Sequence, residues 1–172
     1  MTKYISGCAW IVGPNEICGQ PYHIADPIHI ALCPKHRPAL RTWQRSIIAD
    51  LYQQLPEAPH TPGYTYVVKV PDGAYKIGYT GKDDVRPRLM SLHRQLGQLE
   101  VVGILKGGWS LEAVLHHQWI DCRLEGYGER FEPNDTMSKW LDTLSIDPEQ
   151  QASVDRYYDY VPKASAPVPV AA

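Results

Sequence analysis

The sequence predicts an α+β fold in which a small, mainly antiparallel sheet is combined with helices. Two short apolar runs around a Pro-Asp-Gly turn, Tyr64–Val70 and Ala74–Tyr79, have the pattern of a β-hairpin. After this hairpin, segments whose apolar residues have helical spacing alternate with one further strand-like run. The length of 172 residues and the apolar fraction of 44% suffice for one main domain with a modest core, preceded by a segment rich in Cys, His and Pro.

The elements of the main domain are expected in the order ββαβαα. They are the hairpin, a helix from Asp83 and Asp84 to Leu96, a strand at Leu99–Leu105, a helix from Leu111 to about Asp121, and a helix at Met137–Leu144. Gly97 ends the first of these helices, and Ser110 is predicted to cap the second. Asn134 and the two residues after it offer caps for the last helix.

Composition divides the chain into four parts. These are a Cys-, His- and Pro-rich module at 1–40, a helix followed by a Pro-rich linker at 41–62, the main domain at 63–144, and an acidic, then Pro-rich tail at 145–172. The helix of the second part is predicted from apolar residues at Trp43, Ile47, Ile48, Leu51 and Leu55.

Charge and hydropathy limit the classes of protein to be considered. The net charge of −2 neither indicates nor excludes a nucleic-acid partner. The basic residues are uneven, however, and one stretch without acids contains Lys35, Arg37, Arg41 and Arg45. No apolar run is long enough for a transmembrane helix, and the N-terminus lacks a signal-peptide core. We therefore expect a cytoplasmic protein without a membrane partner.

Three cysteines and a histidine in the first part have the composition of a structural zinc site. Cys8, Cys18, Cys33 and His36 are spaced C-x9-C-x14-C-x2-H, and Cys33 and His36 form a compact pair before the predicted helix. His23 and His29 are alternatives to His36. The segment has little apolar surface of its own, so a metal would provide much of its folding free energy. Cys122 lies outside this cluster and is read as an ordinary thiol.

Polar residues suited to phosphodiester hydrolysis occur in an ordered series through the main domain. This reaction needs an activated nucleophile, stabilisation of charge on phosphorus and often a divalent metal. The series comprises Tyr66 on the first strand, Lys76 on the second, Arg88 on the first helix, and Glu112 and His116 one turn apart on the next helix.

This series resembles the GIY-YIG nuclease superfamily. Tyr64-Thr65-Tyr66 corresponds to the first motif and Lys76-Ile77-Gly78 to the second, with nine residues between Tyr66 and Lys76. The helix sequences RPRLMSLHRQL and LEAVLHHQW and the segment GERFEP are similar to a phage and bacterial branch whose second motif is often Lys-Ile-Gly. The resemblance covers roughly residues 63–132, and it adds the expectation of a phage or mobile-element origin.

The resemblance implies a metal-dependent endonuclease. Tyr66 would activate water, Arg88 would hold the scissile phosphate, and Glu112 would bind one divalent cation, Mg²⁺ or Mn²⁺. Lys76 stands where the family more often has a second tyrosine, and His116 completes the predicted catalytic set. The zinc module, with Lys35, Arg37, Arg41 and Arg45, would add contacts to DNA phosphates.

Several alternatives stay open at this stage. Arg86 competes with Arg88 for the phosphate, and Glu129 is a second acidic candidate. Tyr75 and Tyr79 offer phenols in place of Lys76, although strand alternation puts them on the opposite face. A non-catalytic nucleic-acid-binding protein and a protein-interaction module are the competing functions, and RNA is not distinguished from DNA. The sequence does not indicate an oligomeric state.

Overall fold

In the computed structural model, the described residues are 11–13, 16–17, 37–124 and 129–161. The chain divides into two compact units, Met1–Ile47 and Ile48–Ala172. In the first unit, strands β1 (Ile11–Gly13) and β2 (Glu16–Ile17) pair antiparallel. Helix α1 (Arg37–Gln54) begins in this unit and ends in the second. The predicted zinc ligands Cys8, Cys18, Cys33 and His36, their alternatives His23 and His29, and the basic Lys35 lie outside the described residues.

The second unit is built on a four-stranded antiparallel sheet, which confirms the predicted α+β class. Its strands are β3 (Tyr64–Lys69), β4 (Tyr75–Thr80), β5 (Glu100–Lys106) and β6 (Arg130–Phe131), in the order β5-β3-β4-β6. The predicted hairpin is thus confirmed as β3 and β4. Its turn is closed by Asp72, whose side chain accepts a hydrogen bond from the Ala74 amide, and by Gly73, whose φ of +90° favours glycine.

Beside the end of α1, the described residues of the second unit form four further helices. They are α2 (Arg86–Leu96), α3 (Trp109–Gln118), α4 (Asp135–Leu141) and α5 (Gln151–Tyr160). Single 3₁₀ turns at Ile120–Cys122 and Pro148–Gln150 follow α3 and precede α5. The observed order differs from the predicted ββαβαα in two places. The short strand β6 lies between α3 and α4, and α5 follows α4.

The sheet has a separate apolar cluster on each face. The cluster around Tyr66 and Val68 includes Leu89 and Leu92 of α2 and Tyr157 of α5. The cluster on the opposite face is formed by buried residues of β3, β4, α3, the 3₁₀ segment after it, β6 and α4, namely Val67, Ile77, Leu115, Trp119, Cys122, Phe131, Met137 and Leu141. Successive strand residues therefore point to opposite faces, as the alternation predicts.

The start of α3 is held by contacts that differ from the predicted cap. Gly108, not Ser110, is the N-cap residue of α3. The Ser110 hydroxyl instead accepts a hydrogen bond from the Thr61 amide at 2.9 Å and lies 3.2 Å from Nδ1 of His60. His60 in turn stacks on Tyr52 of α1 with ring centroids 4.3 Å apart. The end of the Pro-rich linker is thus fastened to α3 by side-chain contacts that local sequence does not encode.

The last part of the chain also differs from the prediction. The Asn134 cap is confirmed, because its side chain accepts a hydrogen bond from the Met137 amide at 2.9 Å. Helix α5, however, lies where an acidic tail was expected. Val154 and Tyr157 are buried, and the Tyr157 hydroxyl accepts a hydrogen bond from the Leu99 amide at 3.3 Å. The acidic residues of α5, Asp155 and Asp159, lie on its exposed face.

Helix α1 exposes apolar side chains in each of the two units. Trp43 and Ile47 are exposed in the first unit and Leu51 is exposed in the second, as is Leu55, the residue after the helix. Within the part of the chain that the structure describes, no helix is both long and apolar enough to cross a membrane.

Candidate active site

Tyr66 and Gly78 face each other across the hairpin, and the glycine makes room for the phenol. The two residues are register partners on β3 and β4, and Tyr66 is completely buried. A Cβ atom at position 78 would lie 2.3 Å from Oη and 2.6 Å from Cζ of Tyr66. Because non-bonded carbon atoms pack about 3.5–4.0 Å apart, only glycine fits while Tyr66 keeps its position. The two sequence motifs therefore form one packing unit.

Arg88 of α2 contacts the Tyr66 hydroxyl. Its Nε donates a hydrogen bond to Oη at 3.1 Å, and its guanidinium carbon lies 5.9 Å from the ring centroid. Arg86 points elsewhere, because its Nε donates to the backbone oxygen of Arg156 at 3.4 Å. The structure thus separates the two rival arginines, and Arg88 is the one beside Tyr66.

The environment of Tyr66 keeps its phenol protonated. Burial raises the pKa of Tyr66 to about 12, although the charge and hydrogen bond of Arg88 act in the opposite direction. The carboxylates of Glu129 and Glu112 lie close enough to raise this pKa further. The same four side chains thus share one electrostatic environment.

Glu112 and His116 lie one turn apart on α3, and both are only 2% exposed. Nε2 of His116 is 3.0 Å from the backbone oxygen of Ile77 and 3.5 Å from Oε1 of Glu112. A carbonyl oxygen can only accept, so Nε2 carries the proton. The ring also meets Phe131 edge-on, with centroids 5.0 Å apart. His116 therefore ties α3 to β4 and lies against Glu112.

Lys76 and Glu129 form an ion pair beside this group. Nζ of Lys76 is 2.8 Å from Oε2 of Glu129, and their side chains are 13% and 28% exposed. Glu129 immediately precedes β6, where Arg130 is the register partner of Lys76. Arg130 makes a further ion pair with Asp72 of the hairpin turn. Pairing of β6 with β4 thus brings Glu129 to Lys76.

Glu112, His116 and Glu129 together have a donor set that could hold a metal ion. One potential ligand atom from each lies within 4.8 Å of the other two. Nε2 of His116 carries a proton, which leaves Nδ1 as its possible ligand atom, and the two carboxylates supply the oxygen ligands that a hard divalent cation prefers. Oxygen ligands on opposite sides of Mg²⁺ are about 4.2 Å apart, so small side-chain movements suffice. The three residues could therefore hold a single divalent cation such as Mg²⁺ or Mn²⁺.

The other hairpin tyrosines do not join this group. The Tyr64 hydroxyl donates to Glu149 at 2.6 Å, and Tyr75 packs against the cluster on the opposite face, below Lys69. Tyr79 is exposed. None of the three lies where it could replace Lys76.

The predicted catalytic residues thus lie in pairs that share one neighbourhood. Tyr66 contacts Arg88, Glu112 lies against His116, and Lys76 forms its ion pair with Glu129. Sequence reasoning placed Glu129 outside its main set, and it missed the Lys76–Glu129 pair entirely. The only local signal was the acidic residue in GERFEP, directly before the Phe of a strand-like segment. Of the predicted DNA-binding residues, Arg37, Arg41 and Arg45 belong to α1, and Arg41 is exposed.

Comparison of the chain with protein-family models, with curated proteins and with solved structures finds no match.

Proposed function

We propose that this protein is a metal-dependent endonuclease of the GIY-YIG type, which hydrolyses phosphodiester bonds in DNA. The observation that supports this most directly is the Arg88–Tyr66 hydrogen bond beside the carboxylates of Glu112 and Glu129. A positively charged side chain that can bind phosphate and a set of possible ligands for a divalent metal therefore occur in one neighbourhood. Hydrolysis of a phosphodiester needs stabilisation of the charge on phosphorus and often uses a divalent metal.

Arg88 holds the scissile phosphate. Its Nε is directed at Tyr66, which fixes the plane of the guanidinium and leaves the terminal amino groups as donors for phosphate oxygens. Arg88 is partly exposed, whereas Tyr66 is buried. A phosphate would therefore meet the arginine first.

Tyr66 acts through its hydroxyl rather than as a phenolate. With a pKa of about 12, removing its proton at pH 7 would cost about 7 kcal/mol, since each pKa unit corresponds to about 1.4 kcal/mol. This cost disfavours a phenolate as the base that activates water. Its oxygen accepts from Arg88, and its own proton could be donated to an oxygen of the substrate or of water that reaches this buried position.

Glu112 and Glu129 bind the divalent cation, and His116 orients Glu112. When bound, the cation would stabilise the negative charge that develops on the phosphate. His116 keeps its Nε2 proton between Ile77 and Glu112, so it limits how far the Glu112 carboxylate can turn.

The burial of Tyr66 and Glu112 favours a second candidate, a nucleic-acid-binding protein on the same fold. Tyr66 is 0% and Glu112 is 2% exposed, so neither is open to a phosphate in this conformation. A protein that only binds would use the partly exposed Arg88 and the basic part of α1.

The N-terminal segment is proposed to bind zinc through Cys8, Cys18, Cys33 and His36. Arg37, Arg41 and Arg45 of α1, with Lys35 before it, would contact the DNA backbone. Metal analysis of the purified protein tests the zinc site directly. A preparation that contains no zinc, yet is folded, would dismiss this assignment.

Cleavage of supercoiled plasmid DNA with Mg²⁺ or Mn²⁺ tests the nuclease. We expect Arg88→Ala to reduce the cleavage rate about 10²–10³-fold, as loss of a charge-stabilising donor does in other enzymes. Arg86→Ala, on the same helix but directed at α5, should cleave like the wild type. Glu112→Gln should abolish cleavage, with the exposed Glu57→Gln as its control.

Thermal unfolding of each variant shows whether it is folded. Cleavage that survives Glu112→Gln would contradict the metal role. Salt-sensitive DNA binding without cleavage in any divalent metal would favour the binding protein. Absence of DNA binding would favour a protein-interaction module.

A further inference from the structure

The Lys76–Glu129 ion pair occupies the more exposed side of the candidate metal site. Glu129 is 28% exposed, whereas Glu112 and His116 are each 2% exposed. A cation arriving from solvent would therefore meet Glu129 before Glu112. One carboxylate oxygen of Glu129 is already 2.8 Å from the ammonium of Lys76.

We propose that Lys76 is the counter-ion of Glu129 in the metal-free protein, and that cation binding exchanges this ion pair for a contact between Glu129 and the cation. The exchange frees the Lys76 ammonium to bind a phosphate oxygen of the substrate. This inference rests on the proposed metal-dependent function, and it assigns to that site a second carboxylate ligand and a second phosphate-binding residue.

The charges of the group support the exchange. Two carboxylates whose ligand atoms lie within 4.8 Å of each other repel, and Lys76 offsets this repulsion. A divalent cation offsets it more strongly, and it also satisfies oxygens of both carboxylates. The ammonium and the cation thus compete for Glu129. Removal of the ammonium should therefore strengthen cation binding.

The position of Lys76 explains why its ammonium would then bind phosphate. Its side chain is only 13% exposed and projects from the second residue of β4, two residues before Gly78 on the same strand face. Its ammonium is therefore largely shielded from solvent when Glu129 leaves. A largely buried ammonium needs an anionic partner, and the substrate phosphate is the anion that Arg88 brings to this site.

Titration of the protein with Mn²⁺ in the absence of DNA tests the exchange. The concentration of free Mn²⁺ is measured by its electron paramagnetic resonance signal, which gives the affinity of the protein for the ion. Lys76→Met should tighten Mn²⁺ binding about tenfold or more, and Glu129→Gln should weaken it by a similar factor. In the double variant Lys76→Met/Glu129→Gln, the effect of Lys76→Met should disappear. Lys69→Met is the matched control, because Lys69 lies on β3 over the Tyr75 ring and should leave the affinity unchanged.

Unchanged or weaker Mn²⁺ binding in folded Lys76→Met overturns the proposed competition. Unchanged binding in Glu129→Gln overturns its assignment as a ligand. A further readout is the ¹⁵N-labelled Lys76 ammonium in NMR spectra. Its signal should shift on addition of Mg²⁺, and an unshifted signal at saturating Mg²⁺ contradicts the exchange. Cation binding with the expected variant pattern, but without DNA cleavage, would reject the nuclease and leave the exchange of the ion pair for the cation standing.

Discussion

Substitution of Gly78 by alanine tests whether the two motifs form one packing unit. The new Cβ would lie 2.3 Å from Oη and 2.6 Å from Cζ of Tyr66, which is completely buried and hydrogen-bonded to Arg88. Overpacking of a filled core costs about 1–3 kcal/mol. Displacement of the phenol would also break a charged hydrogen bond, which contributes about 1.5–3 kcal/mol.

We therefore expect Gly78→Ala to reduce the free energy of unfolding by roughly 3–5 kcal/mol, a large share of the 5–15 kcal/mol typical of natural domains. Urea titration should show a lower midpoint with an unchanged slope. Gly81→Ala is the control, because a Cβ there meets open space, and its effect should stay within about 0.5 kcal/mol.

A double-mutant cycle separates the clash from a general cost of alanine in the strand. The shorter side chain in Tyr66→Leu should leave room for the new methyl group. Gly78→Ala should therefore cost at least about 1 kcal/mol less in that background than in the wild type. If Gly78→Ala and Gly81→Ala unfold at the same urea concentration, Tyr66 does not depend on glycine at position 78.

Two further predictions concern stability away from the site. Tyr157→Ala should reduce the free energy of unfolding by about 3–5 kcal/mol, because Tyr157 is fully buried. Urea titration checks this, with Tyr160→Ala as the control because Tyr160 is exposed. Equal urea midpoints for the two variants would contradict the role of α5 in the core. Burial lowers the pKa of His60, so in mildly acidic solution the unfolded state binds more protons than the folded state does. The stability that depends on neutral His60 is present above about pH 6.5 and is lost as the pH falls through the lowered pKa. Urea midpoints measured between neutral and mildly acidic pH should fall less in His60→Gln than in the wild type, and identical pH profiles would refute this.

Local pattern predicted the hairpin and its two faces because turn chemistry and strand alternation act over a few residues. The Pro71-Asp72-Gly73 turn fixes the register that pairs Tyr66 with Gly78. The same alternation put Tyr75 and Tyr79 on the side away from Tyr66. These features follow from the sequence without any comparison to other proteins.

Features that depend on distant contacts were not predictable in this way. Ser110 has the composition of a cap, but its hydroxyl is used by the Thr61 amide, 49 residues earlier in the chain. Lys76 meets Glu129 across 53 residues, because β6 pairs with β4 at that point. The contact of Arg88 with Tyr66 was expected only from the resemblance. No periodicity brings a helix residue to a strand phenol 22 positions earlier in the chain.

Helix α5 determines when the Tyr66 side of the sheet can finish folding during protein synthesis. Val154, Tyr157 and Val161 complete the apolar cluster that contains Tyr66. Ribosomes add about 5–20 residues per second, so the 91 residues from Val67 to Tyr157 take roughly 5–18 seconds to appear. During that time the nascent chain has β3 but lacks part of its packing. A chain terminated before residue 151 would never acquire it, even with every predicted catalytic residue present.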